Sequence, residues 1–237
     1  MHKFGLVLIA IVVAAVCPSK HSRAQTLDDT GLWFAAFGNG ELKTSSSKRI
    51  SSQPLLWWFD THYRLRDDTD GFNQSIIRPG LGWKTNEDQA VWGGYAWILT
   101  SPIEGDEFNE HRLWQQWTAN PSDGDLRFLH RSRFEQRWVE MGDDVGLRWR
   151  QMHRVQLTLS NSPQWSLIAW DEAFFNFNDT NWGAQGGFDQ NRAFLGFGFK
   201  KSEKSRVRTE VGYLNQFINN QSRTDGLNHI LSINLFY

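Results

Sequence analysis

Arginines Arg64, Arg66, Arg78, Arg112, Arg131, Arg133, Arg137, Arg148, Arg150, Arg154, Arg192 and Arg208 recur at alternating positions, on one parity with Asp60, Glu110, Glu135, Glu172 and Glu210. A guanidinium stays charged in any protein environment and offers five donors in a planar fork. Enclosed in a water-poor space, it is tolerated mainly where carboxylates accept that fork in bidentate pairs. Two readings follow. One is a lattice of ion pairs that braces a narrow enclosure. The other is a conduit lining that favours anions, because the arginines outnumber the acids and rings of arginine are a known selectivity device.

The opposite parity carries a second polar set: His111, Gln115, His130, Ser132, Gln151, His153 and Asp171. If that face meets hydrocarbon, a charge there costs about 2–4 kcal/mol at the midplane and little near the interfaces. Strands that overshoot the membrane, a bulge that switches parity or a slipped register would each explain the set without a function. The functional alternative is a flank for oligomer contacts or lateral substrate access, with His111, His130, His153 and Asp171 at its centre.

Enzymatic chemistry has less to draw on. A lipid hydrolase needs a nucleophile, a base and an orienting group, and only His130 and Ser132 offer a neighbouring pair on one face. The seven histidines show no metal-ligand spacing, and no motif implies a cofactor. Acidic residues Asp67, Asp68, Asp70, Glu104, Asp106, Glu107, Asp143 and Asp144 fall between the alternating segments. They could hold divalent cations beside lipopolysaccharide, although solvated loops are commonly charged.

The elements that must position these residues are strands. Period-2 alternation marks Leu55–Arg66, Phe72–Lys84, Gln89–Thr100, Asn109–Ala119, Asp125–Glu140, Val145–Ser160, Trp165–Asn178, Phe188–Lys200, Arg206–Phe217 and the closing segment Asn228–Tyr237. Pro79 inside one of them suggests a local bulge. Thr30–Phe37 is a further strand; Gly38-Asn39-Gly40 reads as a hairpin turn into a short return over Glu41–Ser46. The prediction is an all-β antiparallel transmembrane barrel of twelve strands, with both chain ends on one rim; ten strands with the amino-terminal segment packed aside is the alternative. In the closing strand His229, Leu231, Ile233, Leu235 and Tyr237 face outward and the partner is the first strand near Trp33. Leu231, Ile233, Leu235 and Tyr237 form the expected assembly signal. Loops Ser101–Phe108, Asp179–Gly187 and Asn219–Leu227 are long and share one rim; Thr85–Asp88, Asn161–Gln164 and Ser202–Ser205 are short and share the other.

Composition agrees with this reading. Thirteen Trp and seventeen Phe accompany a mean hydropathy of −0.53, as expected where lipid-facing residues alternate with lumen residues and never form blocks. Met1-His2-Lys3, the apolar run Phe4–Val16 and Ser22-Arg23-Ala24 describe a secretory signal peptide over residues 1–24. The run is shorter than the roughly 20 residues a membrane helix needs. Cleavage after Ala24 removes Lys3, Lys20 and Arg23 and the one cysteine, Cys17. Residues 25–237 then form a single barrel domain that is more acidic than the full chain, without disulfides, and that is no nucleic-acid binder.

Six strings sharpen the picture: Ile77-Arg78-Pro79-Gly80-Leu81-Gly82-Trp83, Asn109-Glu110-His111-Arg112-Leu113-Trp114-Gln115-Gln116, Phe134-Glu135-Gln136-Arg137, Asp171-Glu172-Ala173-Phe174-Phe175-Asn176, Phe188-Asp189-Gln190-Asn191-Arg192 and Gly212-Tyr213-Leu214-Asn215-Gln216. With the terminal Asn228-His229 strand, the chain resembles the domain of unknown function 2490 family of bacterial outer-membrane β-barrel proteins across nearly all of residues 25–237. The resemblance implies fold and location, and transfers no activity or catalytic residue.

The expectation is therefore a Gram-negative outer-membrane protein, most simply a small porin-like pore or an envelope-structural barrel with an Arg/Glu-rich lumen. A lipid-modifying enzyme or an oligomerising, adhesive barrel is the alternative, and a soluble ligand-binding barrel is the rival at the level of fold. Expected partners are outer-membrane lipid and lipopolysaccharide, the barrel assembly machinery, and a second copy of the chain through the polar flank.

Overall fold

The computed structural model of the chain describes residues 26–42, 54–66, 71–103, 105–202, 204–220 and 224–237. The expected signal peptide lies outside them. Among the described residues, alternation of side chains about the sheet plane forms twelve strands and no helix. These are β1 (Leu27–Glu41), β2 (Leu55–Arg66), β3 (Gly71–Lys84), β4 (Gln89–Thr100), β5 (Phe108–Ala119), β6 (Ser122–Asp123), β7 (Leu126–Val139), β8 (Val145–Leu159), β9 (Ser162–Asn176), β10 (Gly187–Lys200), β11 (Arg208–Ile218) and β12 (Gly226–Phe236). Each long strand pairs with its sequence neighbour, β5 pairs with β7, and β1 pairs with β12, so the sheet closes on itself.

The closed ring has eleven strands; β6 is a two-residue extension of the turn into β7. Gly124, with φ of 57°, makes that turn tight. The twelfth strand is thus β6, and the expected hairpin at Gly38-Asn39-Gly40 does not form. β1 runs straight through these glycines, and residues beyond Leu42 in the expected return lie outside the described residues. The glycines serve the outer wall. A Cβ on Gly38 or Gly40 would meet the Trp57 indole at 2.9 Å, so they form a slot in which that ring lies flat.

An odd ring changes the closure. Every hairpin reverses the chain, so the first and last of eleven strands point the same way. β1 and β12 accordingly pair in parallel, Trp33 opposite Ser232, and Leu27 and Phe236 sit on opposite rims. The expected partner of the closing strand is therefore found, with the direction corrected from antiparallel. Odd counts do occur among transmembrane barrels. The last amide locks the seam: Tyr237 N–H donates to the Phe37 carbonyl at 2.9 Å, and Phe37 stacks on Phe236 with ring centres 4.7 Å apart.

Loops 101–107, 177–186 and 219–225 share the rim from which β12 starts. Connections 85–88, 160–161 and 201–207 share the rim where it ends; the last, expected as a short turn over Ser202–Ser205, is as long as loop 101–107. Pro79 causes no bulge. The β3–β4 ladder skips Arg78 and Pro79 and resumes in register at Gly80 opposite Gly94, because proline lacks the N–H a ladder needs.

The interior holds two apolar clusters besides its charges. Ile76, Ala96, Ile98 and Trp114 form one, with Trp58 and Trp92 against it. Trp33, Ile168, Phe194, Leu214 and Ile230 form the other, with Trp170 against it. Small residues make room for the rings. A Cβ on Gly80 or Gly94 would stand 2.5 Å from the Trp114 indole, and Gly94 also abuts the Pro79 carbonyl. Gly94→Ala is expected to cost about 1–3 kcal/mol, the usual penalty of overpacking, read as a lower urea midpoint of the refolded protein.

Candidate functional site

Closure puts the arginine parity inside. Arg64, Arg78, Arg112, Arg131, Arg133, Arg148 and Arg150 are buried together with Asp60, Glu110, Glu135, Glu172 and Glu210; Asp60, Glu135 and Glu210 are completely enclosed. Arg137, Arg154, Arg192 and Arg208 project from the same inner parity at intermediate burial. Arg66 sits near the rim and donates to the Ser101 carbonyl at 2.6 Å.

Five carboxylates hold most of the cations. Glu110 accepts bidentate pairs from Arg112, at 2.7 Å for both bonds, and from Arg137 at 2.6 and 3.3 Å. Glu135 accepts from Arg148 at 2.7 and 3.1 Å and from Arg150 at 2.8 Å, with Arg112 at 3.7 Å. Glu172 joins Arg131 at 2.7 Å to Arg150 at 2.8 Å. Glu210 pairs with Arg154 and Arg208. Asp60 takes Arg78 at 3.0 Å, His62 at 2.9 Å and the Trp58 indole N–H. Glu110, Glu135 and Glu172 are joined through shared arginines into one network over β5 and β7–β9, while Asp60 with Arg78 and Glu210 with Arg154 and Arg208 form two further groups, the geometry in which buried charges are tolerated.

Three lumen arginines stand outside these groups. Arg64, Arg133 and Arg192 form no ion pair among the described residues. Arg133 is fully enclosed. Its Nε donates to Gln116 at 2.8 Å, its guanidinium lies 4.7 Å from the Trp114 ring centre, and its two terminal nitrogens have no hydrogen-bond partner. Arg64 and Arg192 flank Trp33 at 3.9 and 5.0 Å from its ring centre. The lattice leaves a cavity of about 520 Å³. Its lining runs from Thr100, Phe108 and Met141 near one rim to Phe37 and Phe236 near the other.

Loop 177–186 folds over the first of those rims. Asn178 accepts from the Leu147 amide at 2.8 Å, and the Asn181 amide donates to Asp144 at 2.7 Å. The Trp182 indole donates to the Asp144 carbonyl at 2.8 Å and lies 4.9 Å from the Arg137 guanidinium. On the same rim Asn109 donates twice to Glu140 and holds that carboxyl below its usual range. Among the acidic loop residues, Asp67, Asp68, Asp70 and Glu104 lie outside the described residues. Asp106, Glu107 and Asp143 are solvent-exposed or nearly so, and Asp144 is used to hold the loop. No three metal-ligating side chains converge among the described residues.

The second polar set is on the outer wall, with neither a parity switch nor a register slip. His130 faces His153 and His153 faces Asp171 on adjacent strands. His130 and His153 meet through their Nδ1 atoms at 2.7 Å, and Asn191 donates to Asp171 at 2.9 Å. Gln115 and Gln136 exchange amide bonds, and His111 meets the Tyr95 hydroxyl. Ser132 accepts from the Trp149 indole at 2.7 Å, so its hydroxyl and the His130 ring are each engaged elsewhere. Leu231, Leu235 and Tyr237 are exposed on the outer face of β12, and Ile233 lies between them on the same parity.

Trp33, Trp58, His62, Gln74, Gln116 and Trp182 belong to the interior or its mouth and escaped the sequence reading as site residues. For Trp33 no signal was available: β1 is apolar on both parities, so alternation says nothing about which side faces in. His62 sits two residues from Asp60 and Arg64 on their parity, which was a usable signal.

Comparison with known proteins places this geometry in context. The family described as "Protein of unknown function (DUF2490)" matches over residues 30–227. An uncharacterized protein of Methylorubrum extorquens is 34% identical over 203 residues, covering 84% of this chain and 87% of the relative. No solved structure matches.

Proposed function

Because the chain belongs to the DUF2490 family of proteins of unknown function, whose description assigns no activity, we propose a role from the barrel itself: an outer-membrane protein whose lumen favours small anions. The observation that carries the reading is the inverted polarity of the wall. Phe59, Ile77, Leu81, Trp83, Leu195, Phe197, Leu231 and Leu235 are exposed outside while arginines and carboxylates are buried inside. A water-soluble barrel gains by the opposite arrangement; a bilayer rewards this one. The long loops then face outward, β12 descends toward the periplasm, residues 1–24 serve as export signal, and Leu231, Ile233, Leu235 and Tyr237 present the barrel to the assembly machinery.

Solute preference follows from the charge count along the passage. Eleven arginines face six carboxylates within the strands, Asp189 included, and a cavity lined from one rim to the other keeps the excess positive. Location is tested by fractionation of cells expressing the full chain. It should sediment with the outer membrane, resist alkaline extraction and migrate faster unheated than boiled. Recovery in the soluble periplasm without detergent would favour a soluble ligand-binding barrel instead.

One observation favours a second feature of the same protein. The polar flank lies halfway along β7, β8 and β9, where lipid contact is most costly. It carries both Asp171 and the His130–His153 pair, so a two-fold axis would set one copy's carboxylate against its partner's imidazoles. The flank therefore suits a second copy of the chain. A His153→Leu, Asp171→Leu double variant is expected to convert a detergent-solubilised dimer to monomer by light scattering. A wild-type monomer, or a variant that stays dimeric, would remove this feature.

A further inference from the structure

The two arginines around Trp33 point to a ligand that the charge balance alone does not name. Arg64 is buried to 7% exposure, and among the described residues its side chain makes one hydrogen bond, Nη1 to Gln74 at 2.7 Å. Its Nε and that of Arg192 are buried without a hydrogen-bond partner among the described residues. Both guanidinium carbons lie within 5.0 Å of one ring centre, and both side chains line the cavity. The acid opposite Arg192 across the ladder, Glu172, is already shared between Arg131 and Arg150. Two like charges stacked about one indole, with donors left over and the nearest acid already hydrogen-bonded to two other arginines, form a site with more positive charge than its surroundings balance.

The surroundings define what would fill it. Leu214 and Trp170, from the cluster around Trp33, line the cavity together with Phe174, whose ring centre lies 4.7 Å from the Arg192 guanidinium. Apolar walls around two forked donors fit an anion with a planar acceptor head and an apolar body. Resting on the anion-favouring lumen proposed above, we propose that Arg64, Arg192 and Trp33 form a binding subsite for small organic carboxylates, with the carboxylate between the guanidiniums and the apolar body on the aromatic wall. An inorganic halide would neutralise the charge and leave that wall unused.

The test uses the full mature chain refolded in detergent and titrated calorimetrically with sodium benzoate, with chloride as comparator. Benzoate is expected to bind saturably and more tightly than chloride. Arg64→Gln with Arg192→Gln should weaken it by roughly tenfold or more, since two charge-assisted forks are lost. Arg133→Gln removes the same unpaired charge from a position outside the cavity lining and should leave binding unchanged. If the double variant fails to fold, Arg192→Gln alone, checked by heat-modifiable mobility, carries the same expectation. Equal loss in Arg133→Gln would reduce the effect to general lumen charge and overturn the subsite, as would benzoate binding no tighter than chloride. Anion-selective current without benzoate saturation sinks the subsite alone; benzoate binding in a barrel that passes no current sinks the passage and leaves the subsite standing.

Discussion

Replacing Glu135 with glutamine is expected to cost about 3–5 kcal/mol, the loss seen when one member of a buried charge cluster is removed, and so to collapse the refolding yield. Glu135 is completely enclosed, and it is the one carboxylate that joins Arg148, Arg150 and Arg112. Of these, Arg150 keeps Glu172 and Arg112 keeps Glu110, whereas Arg148 retains, among the described residues, only Asp189 at 3.5 Å. The stranded charge is thus mainly that of Arg148. Adding Arg148→Met to Glu135→Gln should therefore recover part of the loss, because an apolar side chain of similar volume does not need a counter-charge. Urea midpoints of wild type, both single variants and the double variant give the coupling directly. Additive losses would mean that the lattice is loose and that water already screens these charges.

The second large effect concerns the seam. Inserting one residue after Asn228 turns every following side chain to the other face. Leu231, Ile233 and Leu235 would point into the charged lumen, and Ser232 and Asn234 would face outward. β12 pairs with β11 on one side and β1 on the other, so both ladders that close the ring would lose their side-chain match together. Assembly should fail, with no heat-modifiable species on refolding. An insertion in loop 101–107 should leave assembly intact. Deleting Tyr237 removes one seam hydrogen bond, to the Phe37 carbonyl, and should slow assembly without abolishing it.

Period-2 parity was the legible part of this chain. Wherever a strand carries arginine on one face and aromatics on the other, as in β7 and β8, orientation, lumen membership and even the outward histidines could be read from the residues. Legibility stopped where both faces are apolar or where glycine does something other than turn. In β1, Leu32, Phe34 and Ala36 alternate with Trp33, Ala35 and Phe37, so neither face declares itself. Gly38 and Gly40 have the spacing of a hairpin and the job of a slot for Trp57, a ring that belongs to the next strand. That one misreading also fixed the wrong closure, since an even ring puts both ends on one rim and an odd ring does not. The carboxylate partners of the arginines were visible as a set. Which arginines would be left without one was not, because pairing reaches across the lumen between strands far apart in sequence, as Arg154 does to Glu210.

The proposed role is that an inverted barrel with a surplus of lumen arginines lets small anions through. The most direct measurement is the reversal potential of refolded protein in a planar bilayer under a potassium chloride gradient. Steady current that reverses near the chloride equilibrium potential is expected. Replacing both Arg154 and Arg192 by glutamine should shift the reversal away from that value. Current that reverses near the potassium potential, or a correctly folded barrel that passes none, would contradict the proposed role.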